Sequence, residues 1–379
     1  MGMAQLTTFE LLFPLPQRCI LLMVAGLWLW LFQISILHRA FRIDISQLVL
    51  SHNSSEISPR IPTTRLIQNT RQIVQRITKI ILPWYAATCF LLHKCNGDSN
   101  YATEAWILCL LNIQPLCQFI AIFAMVLDYS PMVLRCFKKI LCFGNIESKP
   151  LRNNYILLTD SLTSFGKPLI DFGLYISHLV SRPFDEKCIV DRSSHGQVYH
   201  LDLIIGITPV MLRLSQCLRE FQRSKSSGQS KNALYNAVKY SLNLPVLACT
   251  VHARMFPNGS STNKVYWFMM VSSIYGFWWD LTMDWNLGMF NFSSKGMDRN
   301  EFLRSRTLFP QVAYCIAICT DFAIKFAWLW ELMLGRSVFK GEANIFFLQS
   351  LELFRRWVWT FVKLEAEAVN LEGVEKMED

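Results

Sequence analysis

Charged residues are scarce in this chain, at 17% of its 379 residues, whereas soluble domains average about 25%. Hydrophobic residues make up 52% and gather in repeated long apolar runs. This pattern predicts a polytopic all-α membrane protein rather than a soluble globular domain. The formal charge is +9, but its distribution along the chain fits the cytosolic loops of a membrane protein better than a nucleic-acid-binding surface.

The sequence also lacks zinc-type cysteine spacing, an internal repeat and a basic segment ahead of its first apolar run. Most of the 12 cysteines lie within apolar runs, where we expect them to pack rather than bind metal. Cys95 and Cys188 lie in short polar loops and are candidates for a disulfide. A signal peptide carries its charge before its apolar core, whereas here His38 and Arg39 follow the core. The run is therefore predicted to be an uncleaved first span.

Nine apolar segments are predicted to be membrane-spanning helices. They are residues 19–37, 80–92, 105–127, 155–180, 199–221, 232–252, 265–287, 310–334 and 343–362. Residues 131–143 mix apolar and basic side chains, which predicts an amphipathic helix lying in the membrane plane. Residues 1–154 are thus interpreted as an N-terminal membrane region with about three spans and this basic helix, and residues 371–379 as an acidic cytosolic tail.

Lysine and arginine are distributed unevenly among the connections between these segments. Residues 38–79, 129–154, 218–231 and 288–309 hold 20 of them, and the alternate connections hold 8. By the positive-inside rule, this asymmetry predicts an N-terminus on the luminal or outer side and a cytosolic C-terminus. Of three N-x-S/T sequons, only that of Asn258 then faces the lumen, so Asn258 is the candidate glycosylation site.

Two aspartates lie in the seventh apolar segment. Asp280 and Asp284 are four residues apart, so on a helix they share one face. A charged side chain at the centre of a spanning helix costs about 2.5–3.5 kcal/mol on the insertion scale, so it requires a partner or a water-filled cavity. Lys325, Arg355 and Arg356 are candidate partners in later spans. Alternatively the aspartates, and Asp284 above all, only mark where the helix leaves the membrane.

Other predicted spans contain ionisable residues as well. In chain order these include Asp160, Arg213, Lys239, Asp321, Lys325, Arg355 and Arg356. Guanidinium and ammonium groups in a polar cavity suit a small oxyanion, and nearby carboxylates would hold the cations in place. One alternative is a set of interhelical salt bridges that only stabilises the bundle. A remote alternative is a membrane prenyl- or alcohol-phosphotransferase, but that chemistry requires a second acid-rich motif to complete a magnesium site.

Four stretches of the chain resemble successive signatures of the EXS family. They are LYNAVKYSLNLPV at 234–246, FWWDLTMDWNL at 277–287, FPQVAYCIAICTDFAIKFAW at 309–328 and LELFRRWVWTFVKLEAEAVN at 351–370. The resemblance implies an EXS domain over residues 155–370, with a more variable membrane region before it. In length and layout the chain is most similar to the SPX-less Golgi branch, which is related to the SPX-EXS phosphate exporters. About 18 residues precede the first span, too few for an SPX domain, so direct sensing of inositol pyrophosphates is not expected.

The resemblance implies a Golgi membrane transporter rather than an enzyme. It would return luminal phosphate, a by-product of glycosylation, to the cytosol, and would support retention of Golgi glycosyltransferases and ER-resident proteins. The implied partners are inorganic phosphate and the lipid bilayer, with glycosyltransferases and their recycling machinery as further candidates. No cofactor, metal or nucleic acid is expected, and an oligomer is left open. A non-transporting sorting adaptor for Golgi enzymes is the alternative.

Motif by motif, the resemblance extends to particular residues. The set predicted to bind phosphate is Asp160, Thr163, Lys239, Tyr240, Asp280, Lys325, Arg355 and Arg356. The set predicted to line or gate the pathway is Arg213, Asp284, Asp321 and Trp328. Lys325 departs from the family pattern, since the exporters usually have arginine before FAW. The charge is kept, but the bidentate fork of arginine is lost.

Overall fold

The structure, a computed structural model, is built of helices and connecting turns, with no β-strand in the described parts of the chain. It describes residues 7–49, 62–97, 105–129, 131–141, 149–185, 188–192, 200–224, 230–256, 262–287, 303–304, 306–335 and 337–378. The N-terminal helices are α1 Thr8–Leu12, α2 Leu15–Phe41, α3 Ile45–Val49, α4 Thr63–Gly97, α5 Ala105–Tyr129 and α6 Pro131–Leu141.

The remaining helices form the C-terminal part of the bundle. They are α7 Lys149–Thr163, α8 Gly166–Ser181, α9 Leu201–Ser224, α10 Ser230–Ser241, α11 Asn243–Met255, α12 Thr262–Trp279, a π-helix Asp280–Asp284, α13 Gln311–Lys325, α14 Ala327–Leu334 and α15 Glu342–Glu378. Helix α15 continues well past residue 362, where the ninth span was predicted to end. The acidic tail is therefore helical through Glu378.

Three helices of the described chain, α2, α5 and α9, are long and apolar enough to cross a membrane on their own. The pair α13 and α14, bent by 57°, would be a fourth if counted as one span. Helices also cover most of the other predicted segments, but the count of nine spans stays a prediction. In α6, Arg135 and Lys138 are exposed whereas Cys136 is buried, which agrees with the predicted amphipathic helix.

Four of the predicted spans are interrupted, which the sequence patterns did not predict. The fourth breaks between α7 and α8, the sixth at Leu242 between α10 and α11, and the eighth at Phe326. Pro168 and Pro245 follow the first two breaks within one turn, where the missing proline N–H is tolerated. The seventh changes from α-helix to π-helix at Asp280. Irregular backbone at membrane depth is tolerated only inside the protein or along a cavity, so these breaks point to an interior site.

Helices α2 and α15 lie side by side and run in the same direction. Arg18 pairs with Glu342 near the start of both helices, and eleven residues further along α2 the Leu29 carbonyl accepts a hydrogen bond of 2.8 Å from the Trp357 indole. Helix α8 runs antiparallel to α15. Ser164, just before α8, contacts Glu352, and Asp171, further along α8, contacts Gln349, which lies earlier in α15. This arrangement brings polar faces of α7, α8 and α15 together.

Candidate functional site: a buried ion network

Asp280 is the centre of a network of buried ion pairs. One of its oxygens lies 2.9 Å from Lys239 Nζ, and the other pairs with Lys325 and lies 3.6 Å from Arg355 Nη1. The residue is 2% exposed. Three cations from α10, α13 and α15 therefore converge on one carboxylate. Lys325 and Arg355 were predicted partners, whereas Arg356, the third candidate, is not within ion-pair distance of Asp280.

Asp284 shares a cation with Asp280, as expected for two acids on one helical face. Its carboxylate lies 3.2 Å from Lys239 Nζ and 3.9 Å from Lys363 Nζ. The two aspartates are the ends of the π-helix, in which the Trp285 N–H bonds the Asp280 carbonyl instead of the residue four before it. Single π-turns occur frequently at functional sites. The alternative that Asp284 only marks the end of the span does not account for these ion pairs.

Arg355 is held by three carboxylates. It lies 2.7 Å from Asp321, 2.7 Å from Glu352 and 3.6 Å from Asp280. Asp321, at 1% exposure, also lies 3.6 Å from Lys325. Helices α13 and α15 are thus tied together at the level of the π-helix, and the Arg355 guanidinium has little freedom to turn toward another anion.

A second branch of the network surrounds Asp160 at the end of α7. The Arg213 guanidinium lies 2.6 Å from its carboxylate, and the Tyr240 hydroxyl donates to the same group at 2.6 Å. Arg213 also donates to Gln216 on its own helix and to the Tyr240 oxygen at 3.1 Å. This branch joins α7, α9 and α10, and Lys239 next to Tyr240 connects it to Asp280.

Arg356 differs from the other cations of the network. Its guanidinium donates to Ser164 Oγ at 3.0 Å and Thr163 Oγ1 at 3.2 Å, and it lies 4.6 Å from the centre of the Trp359 ring. Within the described residues no carboxylate lies within ion-pair distance of it. The two hydroxyls lie at the break between α7 and α8, so the interrupted helix presents them to this arginine.

The charges of the network balance. Its cations are Arg213, Lys239, Lys325, Arg355, Arg356 and Lys363, and its carboxylates are Asp160, Asp280, Asp284, Asp321, Glu352 and Glu367. Its inner members, such as Asp280 and Arg355, are at most 5% exposed, whereas the Glu352 side chain is 30% exposed. Burial of the inner charges is tolerable only because each has an opposite charge or hydrogen bonds nearby. Balanced charge limits how tightly an added anion can bind, a condition for its release.

The structure brings together all but one of the residues predicted for the site. Trp328 is the exception, because its described contacts are a hydrogen bond of 3.2 Å to Ser273 and ring stacking at 6.1 Å on Tyr266, and its place in the pathway stays a prediction. Ser164, Glu352, Gln216 and Lys363 belong to the network but were not in the predicted set. Glu352 had a usable signal, since it precedes Arg355 by three residues, a spacing that places side chains side by side on a helix.

Three further predictions concern other positions. Cys95 and Cys188 pack in the same apolar cluster, but both are thiols and the disulfide considered between them is not formed. Asn258 lies outside the described residues, so its glycosylation stays a prediction. In the described chain no group of three or more His, Cys, Asp or Glu side chains is placed to hold a metal ion. Asp280 and Asp284 are instead paired with lysines, which disfavours the magnesium-dependent alternative.

Apolar helices long enough to span a bilayer, with an ion network in the interior of the bundle, define a multi-pass integral membrane protein. The model of the EXS family matches residues 13–369, so the chain belongs to the EXS family. The match extends upstream of the boundary predicted at residue 155, through most of the region expected to be variable.

Individual relatives agree with this assignment. The chain is 37% identical over 382 residues to Protein ERD1 of Kluyveromyces lactis, covering 98% of both chains. It is 34% identical over 369 residues to Protein ERD1 of Saccharomyces cerevisiae, covering 93% of this chain and 92% of the relative. Solute carrier family 53 member 1 of Homo sapiens is 31% identical over 231 residues, which is 56% of this chain and 32% of that protein.

Proposed function

We propose that this protein is a Golgi membrane transporter that moves inorganic phosphate from the lumen to the cytosol. The observation that carries the proposal is Arg356, a guanidinium in the middle of a buried ion network that is held by two hydroxyls and no described carboxylate. A phosphate there could accept from the guanidinium fork without first displacing an acid. The similarity to a solute carrier supports the same reading.

The neighbouring groups have distinct roles in this proposal. Thr163 and Ser164 position the Arg356 guanidinium and can also donate to a phosphate oxygen. Lys239 and Lys325 supply mobile point charges close by, while Asp280 holds both of them. The helix breaks that surround these residues allow backbone and side chains to rearrange as the anion passes. In this proposal the basic loops face the cytosol, as the positive-inside rule favours, and the C-terminus is then cytosolic.

The proposal is tested by phosphate flux into proteoliposomes containing the purified chain. We expect saturable flux in the wild type and its loss in Arg356→Ala. Arg65→Ala is the matched control, because Arg65 is exposed on α4 and away from the network. A folded wild-type protein without phosphate flux, or equal flux in Arg356→Ala, would overturn the proposal.

A second candidate is a sorting adaptor that retains Golgi enzymes without transporting phosphate. It is favoured by the relatives named Protein ERD1, whose similarity extends over nearly the whole chain whereas that to the solute carrier covers 56% of it. The exposed arginines at the start of α4, such as Arg65 and Arg71, would then contact the recycling machinery. If the protein is a phosphate transporter, Arg356→Ala in cells should abolish the recovery of luminal phosphate. If it is a sorting adaptor, the same variant should still retain glycosyltransferases.

A further inference from the structure

A second ion network lies where α2 and α15 begin, separate from the one around Asp280. Glu342, at the first position of α15, pairs with Arg18 of α2 and lies 3.2 Å from Arg192. Arg192 also pairs with Asp171 of α8, which accepts a hydrogen bond of 2.7 Å from Gln349. None of the functions considered above requires these groups.

The two networks are joined by a polar face along α15. Glu342, Gln349 and Glu352 span ten residues, which is about 15 Å at the helical rise of about 1.5 Å per residue. Gln349 and Asp171 lie between the ends, and both are buried. A line of polar side chains between α8 and α15 therefore leads from Glu342 to the Ser164–Glu352 contact beside Arg356.

The carboxylate of Glu342 occupies a position suited to an oxyanion. It accepts from one buried guanidinium, Arg18, and from Arg192 through both of its oxygens, at 3.3 and 3.2 Å. The side chain of Arg18 is 2% exposed, whereas those of Glu342 and Arg192 are each 25% exposed. Arg18 is fixed further by the Phe13 carbonyl at 3.0 Å and the Phe9 ring at 5.2 Å. One guanidinium is thus preorganised and the other reaches solvent.

We propose that Arg18 and Arg192 form an entrance site for inorganic phosphate at the luminal end of the bundle, closed in this structure by Glu342. The inference rests on the proposed function and on a luminal start of α2. An incoming phosphate exchanges with the Glu342 carboxylate on the two guanidinium groups. Displacement of Glu342 releases the start of α15 from α2 and opens the polar face toward Arg356.

The test uses the full-length chain carrying Arg356→Ala, so that binding at the inner network is weakened. Phosphate is titrated, and the resulting rise in melting temperature is measured. Adding Glu342→Gln removes the competing carboxylate, so we expect a phosphate-dependent rise that is larger than in the parent and that a further Arg192→Gln abolishes. Glu365→Gln is the matched control, because Glu365 pairs with buried Arg304 toward the other end of α15. Equal phosphate responses in the Glu342 and Glu365 variants would overturn the inference.

A second measurement tests the entrance site if the Glu342→Gln variant does not fold. Arg192→Gln in the otherwise wild-type chain should raise the half-saturating luminal phosphate concentration by about tenfold, the effect of losing one charge-assisted hydrogen bond, with little change in maximal flux. Arg182→Gln is its control, since the Arg182 side chain is 70% exposed in the same connection. An unchanged half-saturating concentration contradicts the entrance site. Absence of phosphate flux in the wild type would instead contradict the proposed function. Failure of the entrance site and failure of the transport function are thus distinguishable.

Discussion

Arg355 and Arg356 are adjacent in sequence and have opposite surroundings. Arg355 lies within 3.6 Å of the carboxylates of Asp280, Asp321 and Glu352, whereas Arg356 is held by the hydroxyls of two residues at a helix break. The first arginine neutralises acids that the fold has buried. In the proposed function the second binds an anion that enters the bundle, and this division of roles underlies the prediction that follows.

Removal of the two arginines should affect stability to different extents. Arg355→Ala leaves buried carboxylates without their main cation, which typically costs about 3–5 kcal/mol, so we expect a clear fall in melting temperature. Arg356→Ala removes no ion pair and should lower the melting temperature much less. Thermal unfolding of the purified variants in one detergent measures the difference. Equal destabilisation would mean that Arg356 is as structural as Arg355.

Lys325→Arg should restore the residue type usual in the exporters. An arginine at this position can hold Asp280 and offer a second N–H to phosphate, so the half-saturating phosphate concentration in a flux assay should fall by a few-fold. Gly276, whose missing side chain leaves space beside Lys325 Nζ, helps to accommodate the larger group. Lys325→Met is the control and should reduce flux. A variant with arginine that transports no better than the methionine variant contradicts this account.

Gly173→Ala should destabilise the bundle, because α8 and α9 approach closely at this residue. A Cβ added there would lie 2.6 Å from the Asp202 Cα, a backbone atom that cannot turn aside. Overpacking of this kind costs about 1–3 kcal/mol. Gly26→Ala is the control, since its Cβ would meet only side chains at 3.6 Å. Thermal unfolding should separate the two variants, and similar melting temperatures would show that the helices can move apart.

Cys188 should react slowly with thiol reagents in the folded protein. Burial, with a contribution from Asp185, raises the pKa of this thiol to about 12, so almost none of it is thiolate at neutral pH. Alkylation should therefore be slow near pH 7.5 and become fast only on unfolding. Mass spectrometry of the labelled chain follows the site. Rapid labelling of the native protein, or a Cys95–Cys188 disulfide, would contradict the packing in this cluster.

Much of the inner network could be predicted from sequence, because ionisable residues inside apolar segments have few alternatives to one another. Asp280 required cations, and Lys325 and Arg355 supply two of them as expected. The role of Lys239 as the cation shared with Asp284 was not specified, since pairing across α10 and the π-helix depends on how distant segments pack. The role of Trp328 in lining or gating the pathway stays a prediction, since its described contacts are with Ser273 and Tyr266.

The helix breaks and the outer ion network were beyond the sequence argument. The apolar run looks continuous across residue 326, and the 57° bend at Phe326 has neither proline nor glycine at the break to signal it. Arg18 immediately precedes the first apolar run, and its partner is not evident from the sequence. Its burial against Glu342, 324 positions later, follows from the parallel packing of α2 and α15.

Equilibrium binding of phosphate to the purified chain tests the central claim most directly, because the proposed function requires an anion site at Arg356 whatever the direction or rate of flux. Wild type and Arg356→Ala are titrated under the same conditions, with Arg65→Ala as the surface control. We predict saturable binding in the wild type and in the control, weakened about 10- to 100-fold in Arg356→Ala by the loss of charge-assisted hydrogen bonds. Equal phosphate affinity in the wild type and Arg356→Ala would contradict the account.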